Sequence, residues 1–383
     1  MKKTVDPLRG GPVVCCVGTN YIISVPVMKK VLMSVLVGET EYYCHSNGVR
    51  ISDTKLQRFT VPMTELNREK SYTLIYREIH SRGAYSCDLG AEQKREFDFR
   101  PLEKSDGANI YHISDTHGIR TQAINAAGFL GENIDLLILN GDISSSSCTE
   151  NEIFLQYDIA FGITKGKIPC IISRGNHDLR GKLAERLAMF IPTENGNTFY
   201  SVRLGAFWFL VLDCGEDKED GHREYSGTVC CHSFREAETE YLRRLTESAA
   251  DEYNADGVRH RIIISHVPFE YNNTELCRGE RPFDIEHELY TEWCGIIRKE
   301  IRPDFMLSGH FHLHEIWDNG KNDDKNIGIP VIIGGKPINK DVKRKDYIGC
   351  AVTVNKNSAD VSFNDSKHNV LEKIGITYKG EEK

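Results

Sequence analysis

Asn109-Ile-Tyr-His-Ile-Ser-Asp115-Thr-His117-Gly118 sets a short apolar run directly in front of an aspartate, a histidine and a glycine. A helical stretch, Arg120–Leu130, follows it. The pairing then repeats, with run Asp135–Asn140 before helical stretch Glu150–Phe161, and run Pro169–Ser173 before helical stretch Leu179–Phe190. Apolar runs that alternate with helical periodicity predict a sheet covered on both faces. Further strands are expected at Phe199–Arg203, Phe207–Leu212, Arg261–Ser265, Asp304–Leu307, Pro330–Ile333, Ala351–Val354 and Asp360–Phe363. Further helices are expected at Phe234–Glu247 and Ile285–Glu300.

Upstream the pattern is different. Short apolar or alternating runs recur at Val13–Val17, Tyr21–Val27, Val31–Val37, Phe59–Val61, Ser71–Ile79 and Phe97–Phe99, with Gly, Asn and Asp turn signals between them. Closely spaced short strands predict a β-sandwich. Within it, Leu66 to Tyr72 and Tyr76 resembles the Leu…Tyr corner of fibronectin III-like domains, where a tyrosine hydroxyl bonds back to nearby backbone. Pro101-Leu-Glu-Lys-Ser-Asp-Gly107 reads as a linker. A length of 383 residues suits two domains, expected at 1–104 and 105–383.

The formal charge is −8 and there is no long Lys/Arg run, so no clear nucleic-acid-binding patch is expected. An acidic chain can still bind phosphate where bound cations reverse the local sign. The opening MKKTVDPLRGG lacks the apolar stretch of a secretory signal, and no run of about 18 apolar residues predicts a membrane span. Twelve cysteines occur without a CxxC pattern, which reads as reduced thiols and a cytoplasmic location.

Five segments carry chemistry: Ser114-Asp115-Thr116-His117-Gly118, Asn140-Gly141-Asp142, Arg174-Gly175-Asn176-His177-Asp178, Ser265-His266-Val267-Pro268 and Ser308-Gly309-His310-Phe311-His312. Each follows a strand-like run. Ligands of open α/β sheets bind beyond the carboxyl ends of the strands, so Asp, Asn and His are delivered to one edge. Imidazole and carboxylate together suit Mn, Fe or Zn; an all-oxygen set would suit Mg or Ca. Asp115 with His117, and His310 with His312, are i, i+2 pairs. Extended backbone points such pairs to one face, and a sharp loop could equally aim both at one pocket. A bridging carboxylate, Asp142, can hold two cations about 3.5–4 Å apart.

The ordered set Asp-x-His, Gly-Asp, Gly-Asn-His-Asp, His and Gly-His-x-His, spread over residues 108–364, resembles the calcineurin-like metallophosphoesterases. The resemblance implies a four-layer α/β/β/α sandwich behind the fibronectin III-like β-sandwich domain. It implies two divalent or transition metal ions (Mn, Fe or Zn). Asp115, His117, Asp142 and His312 would hold the first, and Asp142, Asn176, His266 and His310 the second. It implies hydrolysis of a small-molecule phosphate ester, mono- or diester, by a metal-bridging hydroxide. His177 would assist the leaving group and Asp178 would orient the His177 imidazole, with helix capping as the other role for Asp178. A catalytically silent metal-binding scaffold is the alternative.

The two-domain layout is similar to that of purple acid phosphatases. Those enzymes carry a metal-binding tyrosine three residues after the bridging aspartate, and here that position is Ser145. Arg174 is placed near the phosphate only weakly by its motif. His314 and His112 read as structural. The loops Asp213–His232 and Glu270–Pro282 are long and polar. The acidic segment Asp217–Glu224 reads as a solvated loop, with a substrate-selecting rim as the sharper reading. Phe269, Tyr271 and Phe283 read as packing beneath the second loop, with ring stacking on a substrate as the other option.

Overall fold

The computed structural model describes residues 6–269, 286–318, 327–339 and 345–378. Two sheets lie face to face at its centre. The larger runs in the order Val370–Thr377, Ser358–Asn364, Lys345–Asn355, Ala108–Ile113, Leu136–Asn140, Pro169–Ser173, Val13–Val17, Asn20–Pro26 and Leu56–Pro62, with Lys336–Asn339 paired to Lys345–Asn355. The smaller runs Tyr200–Leu204, Phe207–Leu212, His260–Ser265, Phe305–Ser308, Val331–Ile333 and Glu315–Trp317.

Alternation along each strand splits the apolar residues between two layers. Ile110, Ile138 and Ile171 face the second sheet and meet Phe209, Ile262, Ile264 and Leu307 in one core. Their neighbours Tyr111, Leu137, Leu139 and Ile172 face outward onto the helices Arg120–Ala127 and Glu150–Thr164. On the far side Trp208, Leu210, Ile263 and Met306 pack against Cys231–Glu247 and His287–Ile296. Both faces of each central strand are buried, which is why those strands are continuously apolar; each such side chain contributes roughly 1.5–3 kcal/mol. The four layers are helices, sheet, sheet and helices.

The N-terminal strands form a β-sandwich, but not a detached one. Its outer sheet contains Gln93–Asp98, Ser71–Arg82, Val31–Val37 and Thr40–Tyr43, with Cys87–Leu89 on Ser71–Arg82. Its inner sheet is the end of the large central one. Val13–Val17 pairs in parallel with Pro169–Ser173, Val14 opposite Pro169 and Cys15 opposite Cys170. Val14, Ile23, Val35 and Leu74 therefore share a core with Ile138 and Ile171.

Tyr72 is buried as the corner resemblance implies, yet its hydroxyl does not return to local backbone. It donates to the carbonyl oxygen of Gly166 at 2.8 Å, in the turn before Pro169–Ser173. The expected helix Leu179–Phe190 is also absent. Short 3₁₀ turns at Asn176–Leu179 and Ala184–Met189 flank Gly181 instead. Gly181 has φ +109°, and a Cβ there would lie 2.7 Å from the Cys148 backbone nitrogen. Close packing on residues 147–148, through Ser147 N–H to Arg180 O and Leu183 N–H to Ser147 O, overrides the helical periodicity. Among the described residues no helix is long and apolar enough to cross a membrane.

Candidate metal centre

Five strands end at one edge of the two-sheet core. From the large sheet, the neighbours Ala108–Ile113, Leu136–Asn140 and Pro169–Ser173 lead into Asp115 and His117, Asp142, and Asn176 and His177. From the small sheet, the neighbours His260–Ser265 and Phe305–Ser308 lead into His266, and into His310 and His312. The turns that deliver them are not extended. Asp115, His117, Asp142, His310 and His312 all have positive φ, between 44° and 69°. Non-glycine residues in this region cost about 1–3 kcal/mol each and persist where the surroundings over-determine them. Here Asp115 Oδ2 accepts from His310 N–H at 3.0 Å and Asp142 Oδ1 accepts from His177 N–H at 2.8 Å. The loops are therefore tied by the carboxylates they present. Gly141 allows a close approach of the loops, since a Cβ there would sit 2.6 Å from Gly175 Cα and 2.7 Å from His266 Nδ1.

The side chains converge. Nε2 of His312 lies 3.4 Å from Asp115 Oδ1, and Nε2 of His117 lies 2.9 Å from Nε2 of His312. Asp142 Oδ2 lies 3.2 Å from His266 Nε2, 3.8 Å from His177 Nε2 and 4.0 Å from His117 Nε2. Asn176 Oδ1 is 3.3 Å from His310 Nδ1, and the His310 ring stands 5.6 Å from that of His266. Three trios have ligand atoms all within 4.8 Å of one another: Asp115, His117 and His312; His117, Asp142 and His177; and Asp115, Asp142 and His266.

The electrostatics call for positive charge. Burial pushes the Asp115 and Asp142 carboxyls up most strongly, but His266 acting together with His312 at Asp115 and with His177 at Asp142 outweighs it, and both are held below the usual range. Burial likewise pushes His266 down, yet Asp142 and Asp115 lift it to about 10. In effect a proton on His266 neutralises two buried carboxylates, a service a cation would render better. Burial depresses His117 to about 4, leaving it neutral and able to ligate. Asp115 Oδ1 and His266 Nε2 are buried without a hydrogen-bond partner. His266 Nδ1 faces the Asn140 carbonyl at 2.7 Å, so the Nε2 side is turned toward the carboxylates. Orphaned buried polar atoms of oxygen and imidazole type fit transition-metal ions.

Arg174 and the ring-orienting reading of Asp178 resolve differently, whereas His314, Phe269 and the capping reading of Asp178 keep their structural roles. Asp178 does not touch the His177 ring; its carboxylate accepts from the N–H of Gly175 at 2.8 Å and of Asp142 at 3.4 Å. Burial and then the nearby Asp142 push it up to about 7. His177 is oriented instead by the Ser145 carbonyl, 3.0 Å from Nδ1, and by Arg180, whose Nη1 is 3.1 Å from Nε2. Arg174 is withdrawn from the site, paired with Asp213 at 2.6 Å over the Phe234 ring. His314 packs against Phe363. Phe269 is buried against Tyr290 and Trp293, whereas Tyr271, Phe283 and the loop 270–282 lie outside the described residues.

Sequence reasoning missed Arg180, Glu216 and Asp217. The segment Asp217–Glu224, whose two readings are a solvated loop and a substrate-selecting rim, begins inside the site. Asp217 Oδ2 is 3.1 Å from His310 Nε2, and the preceding Glu216 is fully buried.

A profile of the calcineurin-like phosphoesterases matches residues 108–314. The chain belongs to that family. It is thus a metal-dependent hydrolase of phosphoric ester bonds. As a calcineurin-like phosphoesterase it shares its fold with a purple acid phosphatase from yellow lupin (Lupinus luteus) seeds, at TM-score 0.59 and 13% identity, covering 96% of this chain and 74% of that one. It is also similar to the structure of PhoD, at TM-score 0.55 and 10% identity, covering 98% of this chain and 90% of that one. At such identities the likeness is one of fold. No curated protein matches the sequence.

Proposed function

We propose that this calcineurin-like phosphoesterase works with two adjacent cations (Mn, Fe or Zn) and hydrolyses small-molecule phosphomonoesters or phosphodiesters. Asp115, His117, Asp142 and His312 hold one cation, and Asp142, Asn176, His266 and His310 the other. The observation that carries this reading is the place of Asp142, whose Oδ2 lies within 4.0 Å of His117, His177 and His266 at once. A carboxylate so placed can bridge. When bound, the cations supply an activated water and neutralise the phosphoryl oxygens.

The chain's own residues do the rest. Asp115 and Asp142 hold the loops in their left-handed turns through the N–H groups of His310 and His177. His177, with Nδ1–H engaged by the Ser145 carbonyl, would need a second proton on Nε2, as imidazolium, to steady or protonate the departing alkoxide. Arg180 offers positive charge beside that same atom. Asp178 acts through backbone, tying Gly175 to Asp142. Ser145 cannot act as a phenolate ligand, so the protein is expected not to be purple when loaded with iron. Residues 1–104 serve as a structural shoulder that is continuous with the catalytic part, 105–383, through the pairing of Val13–Val17 with Pro169–Ser173.

The test is metal analysis of the purified protein together with release of p-nitrophenol from mono- and bis-p-nitrophenyl phosphate in added Mn²⁺. Two cations per chain with turnover of at least one ester is the expected result. A fully loaded protein silent on both esters would overturn the reading.

A further inference from the structure

Glu216 and Asp217 are consecutive, and each meets a different neutral donor of the second cation's proposed set. Asn176 turns Oδ1 toward His310 Nδ1, 3.3 Å away. That leaves one outward atom on each side chain. Asn176 Nδ2 donates to Glu216 Oε1 at 3.2 Å, and His310 Nε2 lies 3.1 Å from Asp217 Oδ2.

The loop is built to hold them there. Buried Arg235, from the helix Cys231–Glu247, donates from Nε to Cys214 O at 2.9 Å and from Nη2 to Glu216 O. Asp213 N–H donates to Glu238 Oε1 at 2.9 Å. The Glu216 carboxylate, fully buried, is neutralised by Arg180 Nη2 at 3.3 Å and Lys218 Nζ at 3.2 Å. Three residues after a strand, the chain is thus anchored from behind before it presents its two carboxylates.

The chemistry of each contact has one outcome. A carboxylate that accepts from His310 Nε2–H fixes the tautomer and leaves the Nδ1 lone pair on the side of Asn176 Oδ1. A carboxylate that accepts from the Asn176 amide N–H keeps the oxygen, the only ligand atom of that side chain, pointed the other way. At the first cation's set the corresponding contact is weaker in kind, since His117 Nδ1 meets a neutral hydroxyl, Ser145 Oγ, at 3.4 Å.

We propose that Glu216 and Asp217 are positioning residues for the second cation, fixing the ligand faces of Asn176 and His310 and tightening that site selectively. The inference rests on the two-cation reading above. It makes the second site the one whose affinity is set by a loop outside the five motifs.

Asp217→Asn is the principal variant, because Asp217 is only partly buried and its amide is isosteric. Cation content and affinity are measured by calorimetric titration and by mass-spectrometric metal counting, with the cobalt absorption spectrum as the site-specific signature. The expected result is an affinity loss of about 10–100-fold at one of two sites, the other unchanged. The thermal midpoint of the metal-free protein should also be unchanged, with partial recovery in Asp217→Glu. Glu216→Gln should weaken the same site. Both sites at wild-type affinity in Asp217→Asn overturns the proposal, as does an equal loss at both. Fewer than two cations on the wild-type chain removes the two-cation reading itself, a result separable from failure of the variant.

Discussion

Nε2 of His117 lies 2.9 Å from Nε2 of His312, although 195 residues separate them in the chain. Each nitrogen is also within 4 Å of Asp115 Oδ1. Two imidazoles whose nitrogens converge beside a buried carboxylate can share at most one proton, so the arrangement is completed by a cation. Chelation of the isolated protein should therefore lower its thermal midpoint, and added Mn²⁺ should restore it, since a ligand that binds only the folded state stabilises it by mass action.

Asp142→Asn should remove the shared ligand while keeping an Oδ1 acceptor for His177 N–H. Metal counting is expected to show both cations weakened together and turnover lost. A variant that retains two cations and full activity would show that Asp142 does not bridge.

His177→Asn should leave the cation count unchanged and lower kcat by about 10²–10⁴-fold, the usual worth of a positioned proton donor. The loss should be larger for an alkyl phosphate than for p-nitrophenyl phosphate, because a poor leaving group depends more on assistance. An equal loss on both would place His177 in binding rather than in departure.

Tyr72→Phe should cost about 1–3 kcal/mol of stability, because the Gly166 carbonyl would be left buried without its donor. Chemical denaturation measures it. The specific activity of the folded variant should not change, since Tyr72 ties down the turn before Pro169–Ser173, at the opposite end of that strand from Asn176.

His112 lies beneath the site, fully buried, with Nε2 3.1 Å from the Asn140 amide nitrogen. Burial lowers its pKa from 6.5 to about 3. Above pH 6.5 both folded and unfolded chains carry it neutral. Below that the unfolded chain takes up a proton that the folded chain refuses until about pH 3. Stability should therefore fall as pH drops from 6.5, by up to ~1.4 kcal/mol per pH unit. Denaturant titrations of wild type and His112→Gln across that range should show a shallower fall in the variant.

The central strands were legible because they are buried on both faces. Val13–Val17, Pro169–Ser173 and Phe207–Leu212 have the bounds expected from their apolar runs. Two peripheral strands were not. Val370–Thr377 is mostly exposed and Glu315–Trp317 is three residues long; their hydrogen bonds come from a neighbour, and their side chains carry no burial pattern to read. The convergence of the candidate ligand residues was legible for another reason, because each motif follows a strand end and strand ends of such sheets share an edge.

By itself the sequence determined the layered α/β core, the family, and which aspartates, histidines and asparagine could ligate, since local periodicity and motif order encode these. Tertiary structure alone decided that Val13–Val17 extends the catalytic sheet, that Tyr72 reaches Gly166, and that Glu216 and Asp217 turn inward onto Asn176 and His310. A strand's partner, or the acceptor of a loop side chain, depends on distant residues such as Arg235 that hold it in place. No local pattern of apolar and polar residues records that dependence.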